Sequence, residues 1–117
     1  LSGRRVNVVF VPHLLPIKRG ILETVYLKKN KKARGKNLTA LYKNFYRKEP
    51  FVRIKDEGLM PRIKDVVNTN FCDIGIKDCG DKIIVISVID NLIKGASGQA
   101  VQNMNIICGF PESLGLR

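Results

Sequence analysis

Residues 81–90, DKIIVISVID, restrict the possible folds of this chain more than any other segment. Apolar residues occupy both alternating faces of the segment, a pattern typical of a strand in the middle of a sheet. A central strand needs partner strands beside it and other elements over its faces. The sequence therefore predicts a domain built around a sheet.

Shorter segments supply the other predicted strands. Residues 6–11, 21–27 and 51–54 are apolar or alternating runs, and residues 70–77 place Cys72, Ile74 and Ile76 on one face. Residues 59–67 contain Pro61, which lacks a backbone N–H group, so they form an edge strand at best.

Two helices are predicted. Residues 37–46 place their apolar side chains on one helical face, and Pro50 is expected to close this helix. The second helix follows residues 94–98 and carries a further apolar stripe. The stripe consists of Ala100, Val101, Met104, Ile107 and Cys108. With 117 residues, the predicted class is one α+β domain: a mixed, mostly antiparallel sheet with helices on one face.

The composition limits the kinds of site that are expected. Three cysteines without framework spacing indicate reduced thiols in a cytoplasmic setting, and one histidine without paired cysteines argues against a metal site. Cys72 and Cys108 are predicted to lie in the core, and Cys79 in a turn. No apolar run has the length of a membrane span, no signal peptide is visible, and no initiator Met is present. We therefore expect a piece of a longer protein, with no membrane partner.

A basic cluster, residues 28–36 with the sequence KKNKKARGK, contributes much of the formal net charge of +11. Its position between a predicted strand and a predicted helix favours a solvated loop. The alternative function is a stand-alone basic module that binds RNA or another polyanion. The nearby aromatic side chains follow helical core spacing and do not suggest a base-stacking platform. We therefore expect no nucleic-acid partner.

The stretch KGASG, residues 94–98, stands between the apolar strand and the final helix. A helix that begins with small residues can present free N–H groups to a closely approaching ligand. Tight packing of helix on sheet explains the same residues without a ligand. No G-x-G-x-x-G occurs, so the chain has no complete dinucleotide site of its own.

Three segments together resemble a known family. They are FVPHLLPIKRGILETVY (residues 10–26), DNLIKGASGQAVQNMN (residues 90–105) and GFPESLGL (residues 109–116). They are similar to the N-acetyl-gamma-glutamyl-phosphate reductase family of the aspartate-semialdehyde-dehydrogenase superfamily. VVNTNFCDIGI, residues 66–76, also resembles the family pattern, although Asn68 stands where glycine is expected.

The resemblance implies part of an NADPH-dependent reductase of arginine biosynthesis, which converts N-acetyl-glutamyl 5-phosphate to the semialdehyde and phosphate. It implies a glyceraldehyde-3-phosphate-dehydrogenase-like C-terminal domain that binds the acyl phosphate substrate and forms a homo-oligomer through its sheet. Residues 1–93 would be this substrate-binding and dimerisation domain. Residues 94–117 would be a helix and tail that dock on a separate N-terminal Rossmann domain, which would hold NADP and the nucleophilic cysteine.

The resemblance also assigns expected roles to individual residues. Gly95, Ala96, Ser97, Gly98 and Gln99 would lie against the cofactor, with the amide of Gln99 near the nicotinamide carboxamide. No catalytic residue is expected in this chain, and the chain alone is expected to be inactive.

Three polar residues are candidates for contact with substrate. Arg19 is the foremost, because a guanidinium suits a carboxylate or phosphate; the alternative is an ordinary ion pair. Lys18 is a second candidate. His13 is expected to line the cleft, with proton transfer as the lesser alternative.

Overall fold

The computed structural model describes residues 3 and 6–117. Four strands form one sheet: β1 (Ile21–Lys28), β2 (Val52–Ile54), β3 (Cys72–Cys79) and β4 (Lys82–Ile89). The helices are α1 (Leu38–Phe45) and α2 (Gly98–Ile107), and a π-helical turn, Ile93–Ser97, leads directly into α2. Short 3-10 turns cover Lys31–Ala33 and Ile63–Asp65.

The strand order β1-β4-β3-β2 places β4 in the centre of the sheet, as its sequence predicts. β4 pairs antiparallel with β1 and β3, whereas β2 pairs parallel with β3. The mixed, mostly antiparallel α+β sheet predicted from the sequence is therefore confirmed.

One face of the sheet packs against α1. Leu38 of α1 lies in a buried cluster with Ile74, Ile76 and Val85, and Cys72, Tyr42 and Tyr46 pack on its margin. The Asn37 side chain caps α1 by accepting a hydrogen bond from the backbone N–H of Ala40 at 2.8 Å. The predicted helix and the predicted inward face of β3 are thus confirmed. The helix ends at Phe45, however, well before Pro50.

The other face of the sheet is covered in part by residues 59–67. A Cβ at Gly75 would lie 2.6 Å from Cδ of Pro61, so glycine in β3 allows this segment to cross the sheet closely. Val66 and Val88 are fully buried. Residues 59–67, predicted to form an edge strand at best, form no strand: Pro61 is buried above the sheet, and the segment turns through the 3-10 helix instead of pairing.

The apolar run at residues 6–11 forms no strand. Its large side chains are exposed, with Val9 at 92% of its maximum accessible area, and no described strand pairs with it. A strand requires a partner for its backbone hydrogen bonds, and sequence pattern alone does not provide one. The prediction of a strand here is therefore wrong for this chain by itself.

α2 packs through its polar side and exposes its apolar stripe. Its buried residues are Gly98 and Asn105, whereas Met104 and Ile107 are 50% and 83% exposed. Cys108 is also exposed, so the prediction that it lies in the core is wrong. Cys79, predicted in a turn, is instead the last residue of β3, where it is exposed and pairs with Lys82 beside the turn to β4. In the described residues, no helix is long and apolar enough to cross a membrane.

Candidate functional site

The carboxylate of Asp90, at the end of β4, joins three parts of the chain. Oδ1 accepts hydrogen bonds from the backbone N–H groups of Leu92 at 2.8 Å and Ile93 at 3.1 Å. Oδ2 accepts from the backbone N–H of Asn68 at 2.8 Å and from Nη1 of Arg19 at 3.5 Å. We call these five residues the Asp90 junction. It fixes the start of the π-helical turn relative to residues 19 and 68.

Asp90 is fully buried, and its environment favours the charged form. Burial alone would raise the pKa of its carboxyl group. The hydrogen bonds from Asn68, Leu92 and Ile93, with the nearby charge of Arg19, outweigh that effect and hold the pKa below its usual value. The carboxylate is therefore a permanent anion near neutral pH.

The neighbouring residues reinforce the junction. Oδ1 of Asn91 accepts a hydrogen bond from the backbone N–H of Gly20 at 2.8 Å. Asn68 has a φ of 64°, in the left-handed region that glycine adopts most easily and asparagine tolerates. The departure from the expected glycine at position 68 is thus compatible with the backbone.

The small-residue stretch does not open the helix as predicted. The N–H groups of Gly95, Ser97 and Gly98 donate to carbonyls five residues earlier, on Asp90, Leu92 and Ile93. The N–H groups at the start of the helical turn are those of Leu92 and Ile93, and both donate to the side chain of Asp90. The N–H groups of Gly95, Ser97 and Gly98 are therefore not free for a ligand, because the helical turn begins earlier than the sequence suggests.

Two of the glycines in this stretch have different surroundings. A Cβ at Gly98 would meet Oδ1 of Asn70 and would lie 2.6 Å from Cγ2 of Ile93, so packing inside the fold requires glycine there. A Cβ at Gly95 would meet only ordinary contacts, the nearest 3.5 Å away on Ile89. Gly95, Ala96, Ser97 and Gln99 are exposed, and Oγ of Ser97 donates to the carbonyl of Leu92 at 2.8 Å. No tight contact within the described residues requires glycine at position 95.

A polar network holds α2 beside the sheet. Nδ2 of Asn70 donates to Oε1 of Gln102 at 2.9 Å, and Nζ of Lys94 donates to the same oxygen at 2.7 Å. Nε2 of Gln102 donates to Glu112 at 2.6 Å. Oδ1 of Asn70 is buried without a hydrogen-bond partner among the described residues. Sequence reasoning missed this network, because residues 70, 94, 102 and 112 share no spacing signal.

A second buried carboxylate, that of Asp73 on β3, forms ion pairs that hold the sheet together. Nε of Arg53 lies 2.5 Å from one of its oxygens, and Nζ of Lys55 lies 2.6 Å from the other. The guanidinium of Arg53 also stacks 4.2 Å from the ring centroid of Phe71. All of these partners lie on β2, β3 or the adjoining residues, so the cluster fastens β2 to the sheet.

The substrate candidates are placed differently from one another. Arg19 lies in the Asp90 junction with 38% of its side chain exposed, at the same end of the sheet as residues 93–97. The ion pair considered as its alternative role is therefore present. His13 and Lys18 are exposed, and no hydrogen bond or ion pair of theirs is seen within the described residues. No described group of three or more His, Cys, Asp or Glu side chains could hold a metal ion.

The basic cluster forms an ordinary connection between β1 and α1. Lys29 pairs with Asp78 on β3, and Asn30 caps the following 3-10 turn by accepting from the backbone N–H of Ala33 at 3.0 Å. The remaining basic side chains of residues 28–36 are largely exposed. This arrangement agrees with the predicted solvated loop.

Comparison with known proteins defines the class to which this fold belongs. The family model described as "Semialdehyde dehydrogenase, dimerisation domain" matches residues 1–91, and the chain belongs to that family. Similar curated proteins include one from Citrifermentans bemidjiense, 53% identical, and one from Pelotomaculum thermopropionicum, 54% identical. A protein from Staphylococcus aureus (strain MRSA252) is 46% identical.

Each of these relatives is named N-acetyl-gamma-glutamyl-phosphate reductase. The similarity covers 99–100% of this chain but only 34–35% of each relative. The chain thus spans about a third of the length of the curated relatives that it matches. The resemblance seen in the sequence is confirmed, and no comparison supports the RNA-binding alternative.

Proposed function

We propose that this chain is the substrate-binding and dimerisation part of an NADPH-dependent reductase that converts N-acetyl-glutamyl 5-phosphate to N-acetyl-glutamate 5-semialdehyde and phosphate. The observation that carries the proposal is 53% identity to a reductase of that name along 99% of this chain. The matched region spans nearly the whole chain and therefore includes the segments that hold the predicted substrate and cofactor residues.

The geometry agrees with an active site that is shared between this chain and a separate cofactor-binding domain. Arg19 offers a partly exposed guanidinium beside the π-helical turn, where it would bind an anionic group of the substrate. Residues 95–97 expose almost no side chain, which suits the close approach of a flat cofactor ring. The bound cofactor would supply a hydride, and this chain would contribute substrate positioning and one wall of the cofactor site.

The catalytic thiol would come from a separate domain. Cys72 packs on the core cluster with its Sγ 3.5 Å from the Ser87 hydroxyl, and Cys79 and Cys108 lie at the exposed ends of β3 and α2. None of the three belongs to the Asp90 junction. Residues 94–117 would present the exposed stripe of α2 to the domain that holds the cofactor, and the sheet would pair with a second copy in the cytoplasm.

Steady-state kinetics of the complete reductase would test this assignment. Arg19→Ala should raise the KM for the acyl phosphate about tenfold or more, as expected for a lost hydrogen bond to a charged group, while the KM for NADPH stays unchanged. Gln99→Ala should raise the KM for NADPH and leave the KM for the acyl phosphate unchanged. Arg62→Ala, which removes an exposed arginine paired with Asp65, is the control and should change neither constant. An unchanged substrate KM in Arg19→Ala would contradict the proposed role of Arg19.

A further inference from the structure

The side chain of Arg19 is held at one point only. Nη1 lies 3.5 Å from Oδ2 of Asp90, and no other hydrogen bond of this guanidinium is seen within the described residues. An arginine carries five N–H donors, so most of them remain for another partner. The side chain is 38% exposed, whereas the carboxylate that faces it is fully buried.

The backbone next to Arg19 is fixed by Asn91, which follows Asp90 after the end of β4. Gly20 donates its N–H to Asn91, and its φ of 117° allows a chain direction that other residues adopt poorly. Two consecutive residues, 90 and 91, therefore hold two consecutive residues, 19 and 20. This double link determines where the guanidinium lies relative to the end of β4.

The same carboxylate determines where the π-helical turn begins. Asp90 accepts from the backbone N–H groups of Leu92 and Ile93 and thereby fixes the turn that exposes residues 95–97. One buried anion thus contacts both the candidate substrate residue and the segment that would line the cofactor. A cap for the turn needs only an acceptor oxygen, which asparagine or serine also supplies. The negative charge is additionally suited to orienting a cation.

We propose that Asp90 is a positioning residue for the reductase: its carboxylate orients the Arg19 guanidinium towards the anionic group of the substrate while it caps the adjoining turn. This inference rests on the proposed function. Asp90 touches neither substrate nor cofactor and acts through Arg19.

A double-mutant cycle in the complete reductase tests this role. Kinetics are measured for the unmodified enzyme, Asp90→Asn, Arg19→Ala and the double variant. Asp90→Asn should raise the KM for the acyl phosphate about fivefold when Arg19 is present and less than about twofold in the Arg19→Ala background. Loss of the cap on the π-helical turn would change the KM for NADPH. Because the cap does not involve Arg19, any such change should be equal in both backgrounds.

The outcomes separate a positioning role from a merely structural one. An equal effect of Asp90→Asn in both backgrounds would overturn the proposal, while leaving the reductase function intact. Absence of reductase activity in the unmodified protein would instead overturn the proposed function itself. Asp56→Asn, which removes an exposed carboxylate paired with Lys43, is the control and should leave the substrate KM unchanged in both backgrounds.

A second variant guards against loss of folding. Asp90→Ser keeps a cap acceptor without the charge, and thermal unfolding of each variant shows whether it is folded. If Asp90→Asn does not fold, the double-mutant cycle is measured with Asp90→Ser in its place, and the same outcomes apply. If neither variant folds, Asp90 is needed for the fold itself and the positioning role is overturned.

Discussion

Gly98, the first residue of α2, packs directly on the side-chain oxygen of Asn70, and a Cβ at position 98 would collide with that oxygen. Asn70 is fully buried and hydrogen-bonded to Gln102 and to the carbonyl of Arg117, so it cannot move aside easily. Gly98→Ala should therefore lower the free energy of unfolding by about 1–3 kcal/mol, as overpacking of a tight contact does. Urea denaturation of the chain measures this change.

Gly95→Ala is the matched control for this experiment. It is also a glycine-to-alanine change in the same helical segment, but its Cβ would meet only contacts of 3.5 Å or longer. Because alanine favours helix by up to about 1 kcal/mol, this variant should be neutral or slightly more stable. Equal destabilisation of the two variants would show that the contact with Asn70 is not the cause.

The contrast between Gly95 and Gly98 shows what the sequence could predict here. KGASG identifies a place where the backbone is approached closely, but nothing local distinguishes approach by a ligand from approach by Asn70. Gly98 and Asn70 are separated in the sequence by β3 and β4, so their contact becomes visible only in the folded chain. The roles of residues 95–99 in cofactor binding stay a prediction.

The stability of the chain should depend on pH through Asp90. Its lowered pKa means that the unfolded state binds more protons, so its contribution to stability is present above about pH 4 and is lost as the pH falls through the folded-state pKa. Asp90→Asn should lower the stability near neutral pH and flatten its dependence on pH below about 4. Urea midpoints measured across this pH range test the prediction.

Exposed ion pairs contribute to the same acid range and need a control. Lys43, Arg62 and Lys29 lower the pKa of Asp56, Asp65 and Asp78 through hydrogen bonds at the surface. Salt screens such pairs more than it screens a buried carboxylate. At high ionic strength the difference between the unmodified chain and Asp90→Asn should persist. If it disappears, Asp90 is not the group responsible.

The elements of the sheet could be predicted because their patterns are local. In β3, β4 and α1, the spacing of the apolar residues shows which faces of the element are buried: one face of β3, both faces of β4 and one stripe of α1. Residues 6–11 and 59–67 have similar patterns and form no strand, because pairing and covering depend on distant residues such as Gly75. The early start of the turn at Ile93 depends on the Asp90 carboxylate, which no helix pattern reveals.

The chain alone should self-associate. Met104 and Ile107 on α2, and Leu22 and Tyr26 on β1, leave apolar surface exposed that a partner would cover. Ile107→Glu should reduce association by α2 while changing the free energy of unfolding by no more than about 0.5 kcal/mol, since the side chain is 83% exposed. Sedimentation velocity is the measurement. A strictly monomeric unmodified chain at high concentration would contradict the prediction.

The basic cluster should not act as a specific nucleic-acid site. Lys29 is engaged with Asp78, and the cluster lies on a loop without a recognition element. Fluorescence anisotropy with labelled RNA at physiological salt should show only weak binding that declines with salt and is independent of sequence. A sub-micromolar Kd with clear sequence preference would restore the RNA-binding alternative.

The central claim is that this chain completes a reductase site but cannot form one by itself. Its most direct test is an NADP(H)-coupled absorbance assay of semialdehyde oxidation with phosphate or arsenate, run on this chain and on the complete protein. The complete protein should turn over, and the 117-residue chain should not, because its sequence has no G-x-G-x-x-G fingerprint and none of its three cysteines lies in the Asp90 junction. Turnover by the chain alone that is abolished by Cys72→Ser or Cys79→Ser would contradict the account.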